Sequence, residues 1–314
     1  MQNPPFNSIS NFYKSKFGQK ILKVPVSIAT DCPNRQGLKN MQTCIFCDEW
    51  GSSAYPDQRV QELSAQIQSY KTTLGARYRS QAFFAYFQAY TSTFLGLTKL
   101  RKSFETALSF SEVQGLVIGT RPDCVSAAVL DLWQEYHQKK FVSVELGVQS
   151  FFDDQLLFLK RGHSAKTSIE TIERIRRQTS VDLGIHLMFG LPNETDAHIV
   201  ETARIVSNLG VDHVKLHNLH VLKNTPLEDL YLRGSFMPIE FEEYSRRVIL
   251  FLQHLSPDIY IQRLGAVASR WDELVAPSWT RYKMRTYQFI IDQMNDQGAV
   301  QGQYFIAPKE RYQQ

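Results

Sequence analysis

The sequence predicts an α/β fold, a parallel sheet curled into an open or closed barrel, on three observations. Short apolar runs alternate strictly with longer segments of helical period, six times over. Polar residues collect towards the C-terminal ends of those runs, the rim where loops of such barrels carry chemistry. The chain is 314 residues long and 43% hydrophobic, ample for one large core.

The runs follow in order. "ILKVPVSIA" (21–29) is rich in Ile and Val and reads as a strand. Val60, Leu63, Ile67, Tyr70 and Leu74 recur at steps of three and four, which marks an amphipathic helix. "QAFFAYFQAY" (81–90) is the next strand, with a helix around 96–108 behind it. "GLVIGTRPD" (115–123) is a buried strand ending in a turn, and Leu132, Trp133 and Tyr136 mark the helix after it. "FVSVELGVQS" (141–150), "VDLGIHLMFGLP" (181–192) and "VDHVKLHNLHVL" (211–222) repeat the pattern. Gln88, Tyr90, Arg121, Asp123, Glu145, Gln149, His186, Lys215, His217 and His220 are the polar residues these strands carry. Lys215 and His217, two apart on a strand, share a face, and His220 points oppositely, as a packing residue under the helix layer. Facing inward, Lys215 and His217 suit a substrate carboxylate or phosphate.

A net charge of +4 is mildly basic, compatible with a polyanionic partner without establishing one. No basic N-terminus leads into an apolar segment, and nothing approaches ~18 consecutive apolar residues. Secretion and membrane spanning are disfavoured, and the expected compartment is the cytoplasm.

Three of the four cysteines lie in "TDCPNRQGLKNMQTCIFCDEW" (30–50), just after the first strand and so at the same rim. Four cysteines in a chain this long make no disulfide scaffold, and a clustered trio reads as metal binding or redox chemistry. Structural zinc wants four ligands, whereas here one C-x-x-C pair, Cys44 and Cys47, joins a single Cys32 with no histidine nearby. Three thiolates suit a [4Fe–4S] cluster with one iron left open, and zinc stays as an alternative. Cys124 lies two strands later, either reactive or simply buried.

The ordered set "CPNRQG" with "CIFCDE", "YFQAYTSTF", "GLVIGTRPDC", "VELGVQSFFDDQLLFLKRGH", "HLMFGLPNET" and "KLHNLHVLKNTPLEDLY" resembles radical S-adenosylmethionine (radical SAM) enzymes. Specifically, it resembles their YtqA/YhcC branch, related to the radical SAM core of the elongator catalytic subunit. The resemblance covers essentially the whole chain. It implies a partial (β/α)6 TIM-like barrel over residues 21–256, with extensions at 1–20 and 257–314. It implies a [4Fe–4S] cluster on Cys32, Cys44 and Cys47, and S-adenosylmethionine as cofactor. Phe46, before the last cysteine, matches an aromatic that packs on the adenine, and core packing explains it equally well. Gln88 and Tyr90 match the branch's "QAY", Glu145 and Gln149 its "ELG.Q", and Arg161 and His163 its "RGH", all implied cofactor contacts. Helix or loop anchoring is the alternative for Arg161 and His163. His186 opens the segment that lines the adenine. The branch carries "DAGFT" where this chain has "SIATD" (27–31). It has glycines at Met41-Gln42-Thr43, Asp at Gln36 and Gly at Asn224.

The implied reaction generates a 5′-deoxyadenosyl radical with an electron from a low-potential donor such as flavodoxin or ferredoxin. The implied substrate is a tRNA wobble uridine, remodelled from carboxymethylaminomethyl towards aminomethyl, with Lys215 and His217 on the substrate side. Lys99, Arg101 and Lys102, then Arg174, Arg176 and Arg177, then Arg281, Lys283 and Arg285 are basic clusters, the last interleaved with Tyr282 and Tyr287. Basic residues with aromatics are how single-stranded RNA is held, although each cluster also reads as a solvated helix face. A radical SAM enzyme on a small molecule, or a non-catalytic iron–sulfur protein, are the other function classes.

Overall fold

A computed structural model describes residues 4–51, 61–78, 81–268 and 270–307. Val60 lies outside these residues, as does the side chain of Leu74. The chain divides into two compact units, Ser10–Ile185 and a second made of His186–Gln314 with the residues up to Ile9.

In the first unit, α1 (Ile9–Phe17) leads into β1 (Leu22–Val26). Tyr13 and Phe17 of α1 meet Phe84 and Phe141 edge-on, and those two rings stack at 5.1 Å. Behind the cysteine loop come α2 (Leu63–Tyr78), β2 (Phe83–Phe87), α3 (Leu97–Leu108) and β3 (Val113–Thr120). Next are α4 (Ala127–His137), β4 (Phe141–Gln149), α5 (Asp153–Phe158) and α6 (Ala165–Gln178). Every residue of β2 is buried, as covering a parallel sheet on both faces requires. Helix α4 begins where the Ser126 hydroxyl accepts from Val129 N, and it buries Leu130, Leu132, Trp133 and Tyr136. Ser164 caps α6 in the same way. Phe84, Phe87, Phe104, Leu116, Ile118, Leu130 and Trp133 are among the largest fully buried side chains here, each contributing roughly 1.5–3 kcal/mol of burial.

Strand β5 (Asp182–Phe189) carries the boundary between the units. In the second unit follow α7 (Asp196–Asn208), β6 (His213–Asn218), β7 (Val221–Leu222) and α8 (Pro226–Leu232). Then come α9 (Phe241–His254), β8 (Tyr260–Arg263), β9 (Leu274–Ala276) and α10 (Lys283–Asp296). Thr195 and His198 form a reciprocal capping box at the start of α7. Buried Glu194 holds Gly190 N at 2.8 Å and Arg247 of α9 at 2.6 Å, fixing the turn after β5.

The strands pair in the order β1-β2-β3-β4-β5-β6-β8, parallel at each pairing whose register is described. The sheet thus has one strand more than the six strand–helix units expected, the seventh coming from Tyr260–Arg263. Residues 211–222 do not make one strand. The sixth ends at Asn218, Leu219 N turns to Phe189 O, and Val221–Leu222 pair antiparallel with β9. The alternation argument therefore does not reach His220, which lies between the two strands with Nδ1 3.3 Å from Asn218 O. Asn224 has φ 60°, the left-handed region that glycine takes freely and asparagine tolerates. No helix among the described residues is long and apolar enough to cross a membrane.

Candidate active site

The cysteine loop is shaped by its own backbone. Gln36 N bonds Cys32 O at 3.1 Å and Leu38 N bonds Pro33 O at 3.1 Å, while Cys47 N bonds Cys44 O at 3.0 Å to close the C-x-x-C turn. Ile45, 2% exposed, ties the loop to the end of α5 through Leu159 O. All three thiols are free, Cys44 buried and Cys32 and Cys47 half-buried.

Cationic and amide donors reach two of the sulfurs. Buried Asn34 sends Nδ2 to Gln42 O (2.7 Å), Lys160 O (2.6 Å) and Cys44 Sγ (3.4 Å). Arg161 sends Nη1 to Cys44 Sγ at 3.4 Å and Nη2 to Gly147 O at 2.8 Å. Arg35 sends Nη2 to Cys47 Sγ at 3.4 Å and also to Asp48 O, its guanidinium 5.5 Å over the Tyr90 ring. Arg121 pairs with Asp123 and donates to Arg161 O at 2.7 Å. Two glycines permit this crowding. A Cβ on Gly147 would lie 3.2 Å from Arg161 Nη2, and one on Gly162, at φ +74°, would lie 2.3 Å from Met41 Sδ.

Burial pushes the Cys47 thiol up to about 11 against the opposing pull of Arg35, so a metal would displace a proton there. Several polar atoms of the same pocket are buried without a partner: Arg35 Nε, Arg121 Nη1, Arg161 Nε, His163 Nε2 and Asn34 Oδ1. The unpartnered guanidinium donors of Arg35, Arg121 and Arg161 near these thiols fit an anionic iron–sulfur cluster and a carboxylate-bearing cofactor. Among the described residues no three His, Cys, Asp or Glu side chains are grouped to hold a single metal ion. Nothing in the sequence marks Asn34 and Arg35 as site residues. Only the folded loop brings them against sulfur.

The other expected cofactor residues of this unit divide. Phe46 and Gln88 are half-buried after β1 and β2. Tyr90 and Gln149 both take left-handed backbone, φ 56° and 69°, a strain that tends to gather at functional sites. Tyr90 packs its ring against Gly51 and donates its hydroxyl to Glu49 O at 2.8 Å. Glu145 is fully buried, with its carboxylate 2.5 Å from Lys23 Nζ and 2.7 Å from the Tyr86 hydroxyl. His163 rests Nδ1 near Ser164 O and Ser168 Oγ, and burial followed by the Arg161 charge pushes its imidazole down to about 3. Cys124 is half-buried, and burial pushes its thiol up to about 12, the direction of an inert thiol.

In the second unit His186 and His217 lie with ring centroids 5.1 Å apart. Arg263 Nη2 lies 2.7 and 2.9 Å from the two ring nitrogens of His217. Lys215 is 9% exposed on the same strand. Burial, then the charges of Arg263, His186, Lys215 and His220, hold His217 well below the ordinary imidazole value. Arg263 was missed from sequence, because the short polar "YIQR" does not look like a sheet strand. The β-branched alternation of Ile259 and Ile261 was the available signal.

The basic clusters differ in how committed they are. Arg101 is paired with Glu135. Arg174 donates to Val125 O and Arg176 to Val181 O, which anchors them to the fold. Arg281 and Tyr282 are exposed, Arg285 packs over Phe241, Tyr287 meets Phe6 edge-on, and the Lys283 side chain lies outside the described residues.

Residues 26–206 match the model of the radical SAM superfamily, and 211–296 match the radical SAM C-terminal domain. The chain is 29% identical to YtqA of Bacillus subtilis over 97% of each protein. It is 33% identical to YhcC of Escherichia coli over 94% of this chain and 95% of that one. A more partial likeness, 29% identity over 50% of this chain and 30% of the relative, is to a tRNA uridine(34) acetyltransferase of Methanocaldococcus infernus. Among solved structures, Elp3 of that archaeon superposes with TM-score 0.65 at 17% identity, over 90% of this chain and 64% of that chain. The partial (β/α) barrel expected from sequence is thus the fold, with seven strands in its main sheet among the described residues. The chain belongs to the radical SAM superfamily, and it is a radical SAM enzyme whose cofactors are a [4Fe–4S] cluster and S-adenosylmethionine.

Proposed function

We propose that this enzyme modifies the side chain of a tRNA wobble uridine, of the carboxymethylaminomethyl-to-aminomethyl type. The observation that carries the reading is the likeness to a relative whose name specifies uridine 34 of tRNA. The exposed Arg281 and Tyr282 support it, as a cation and an aromatic available to RNA.

Cys32, Cys44 and Cys47 hold the cluster in this reading. Arg35 and Arg161 then donate to its thiolates, and Asn34 fixes the loop that presents them. When bound, the cluster and S-adenosylmethionine together supply a 5′-deoxyadenosyl radical, drawing an electron from a donor such as flavodoxin or ferredoxin. Gln88, Tyr90 and Gln149 are polar contacts for the cofactor, and Phe46 packs on its adenine. Arg161 has an unpartnered Nε suited to a carboxylate. Glu145 would share its carboxylate between a cofactor hydroxyl and the Lys23 and Tyr86 it already meets. Lys215 and His217 stand on the substrate side. Residues 21–256 form the radical-generating part in this reading, flanked by extensions at 1–20 and 257–314, the latter contributing strand β8 and the exposed Arg281 and Tyr282.

Mass spectrometry of tRNA nucleosides from cells with and without the gene tests the substrate. Loss of the gene should deplete one wobble-uridine nucleoside and accumulate its carboxymethylaminomethyl precursor. An unchanged nucleoside profile would remove tRNA from the account.

A further inference from the structure

Strand β8 carries an irregularity beside β6. His213 pairs with Tyr260 and Val214 with Ile261, but Lys215 pairs with Arg263, so Gln262 is skipped. A bulge of this kind re-aims the side chains that follow it and is common next to active sites. Here it brings Arg263 level with Lys215, and the guanidinium reaches the His217 ring.

The segment after Arg263 is pinned from inside the unit. The hydroxyl of Tyr244, a fully buried residue, donates to Leu264 O at 2.7 Å. Asn218 Oδ1, also buried, accepts from Ala266 N at 2.9 Å. Arg263 therefore sits on rigid backbone, and its Nε leans on Leu216 O at 3.4 Å. Four basic side chains from three strands gather here: His186 from β5, Lys215 and His217 from β6, and Arg263 from β8. Burial, and then the charge of the adjacent Arg263, favour the neutral imidazole at His217. An arriving oxyanion would meet the guanidinium fork and an ammonium, and it would favour protonation of the ring.

We propose that Arg263 is a specificity-determining residue that, with Lys215, His217 and His186, recognises an oxyanion of the substrate. This rests on the reading of Lys215 and His217 as substrate-side residues and names the chemistry they take. The shared chemistry is a planar or tetrahedral oxyanion, with two sources: the carboxylate of a carboxymethylamino group or a phosphate of the RNA backbone.

Histidine-selective NMR of the full-length, cluster-reconstituted protein tests the site without turnover. The probes are sarcosine, which presents a carboxymethylamino group, and inorganic phosphate. At least one should shift the His217 ring signal and raise the pH at which it titrates. A response to sarcosine alone assigns the site to the uridine side chain, and a response to phosphate alone assigns it to the RNA backbone. Arg263→Gln should weaken that binding about tenfold or more, the scale of a lost charge-assisted hydrogen bond. It should also raise the His217 titration in the absence of any anion. If Arg263→Gln does not fold, Arg263→Lys keeps the charge without the fork and should bind measurably more weakly than wild type. No response of His217 to either probe, or wild-type affinity in the variants, would overturn the proposal. Anion binding that depends on Arg263, together with unchanged cellular tRNA, would keep this site and discard only the uridine.

Discussion

The thiol pocket of the first unit and the imidazole pocket of the second are both rich in cations, but they are built in opposite ways. The thiol pocket is made of loop. Lys39, Asn40, Tyr90, Gln149 and Lys160 around it all have positive φ, and Asn34 and Arg161 stitch it together through backbone carbonyls. The imidazole pocket is made of strand, with register and one bulge setting its side chains. Their electrostatics differ in parallel. Arg35 and Arg161 point at sulfurs that would be anionic as cluster ligands in the proposed reading, whereas Arg263 points at an imidazole that burial keeps neutral. In the proposed reading the first pocket is matched to a resident group, the second to a charge that comes and goes.

Four changes break or sharpen this contrast, taken from the largest effect down. Arg247→Leu strikes the strand-held side. It leaves Glu194, 3% exposed in its side chain, buried without its cation, at a cost of about 3–5 kcal/mol. Denaturant unfolding should show that loss, and near-wild-type stability would mean the turn after β5 is held by other contacts. Gly162→Ala strikes the loop-held side. The left-handed backbone and the approach to Met41 Sδ together should cost about 2 kcal/mol. Met41→Ala in the same chain should return part of it, and strict additivity in that double-mutant cycle would show that the two residues are not coupled.

Glu145→Gln tests a carboxylate already engaged inside the first unit. Leaving half-buried Lys23 short of its partner should lower stability by about 1–2 kcal/mol. An unchanged melting temperature with weaker S-adenosylmethionine binding would make Glu145 a cofactor residue alone. The smallest effect is the pH dependence of His217. Its titration in the folded chain lies below that in the unfolded chain, so between the two the unfolded chain carries a proton the native one lacks. Stability from this group is therefore complete above about pH 6.5 and declines as pH falls below it, by at most about 1.4 kcal/mol per unit. His217→Asn should flatten that slope between pH 6.5 and 5.5, and an unchanged slope would place the proton elsewhere.

The sheet was legible in the sequence because a strand covered on both faces is a continuous apolar run. "FFAYF" and "VQGLVIGT" could be little else. The seventh strand was not legible, since four residues ending in Gln262 and Arg263 carry too little apolar signal. The run at 211–222 misled in the other direction: apolar residues recur on both sides of Asn218, but the strand ends there and Val221–Leu222 pair with β9 instead. The three cysteines stood out by their spacing and their place after the first strand, and the family resemblance named them as cluster ligands. Their donors Asn34 and Arg161 lie 127 positions apart in the chain, and no local pattern links them. Arg263 lies 46 positions beyond His217, brought back by the strand after α9.

The claim on which the rest depends is that three thiols jointly hold one [4Fe–4S] cluster. Iron content after anaerobic reconstitution, with EPR of the reduced protein, tests it most directly across wild type, Cys44→Ala and Cys124→Ala. About four irons per chain are expected in wild type and Cys124→Ala, with little iron and no cluster signal in Cys44→Ala. Wild-type iron in Cys44→Ala, or an equal loss in Cys124→Ala, would contradict the account.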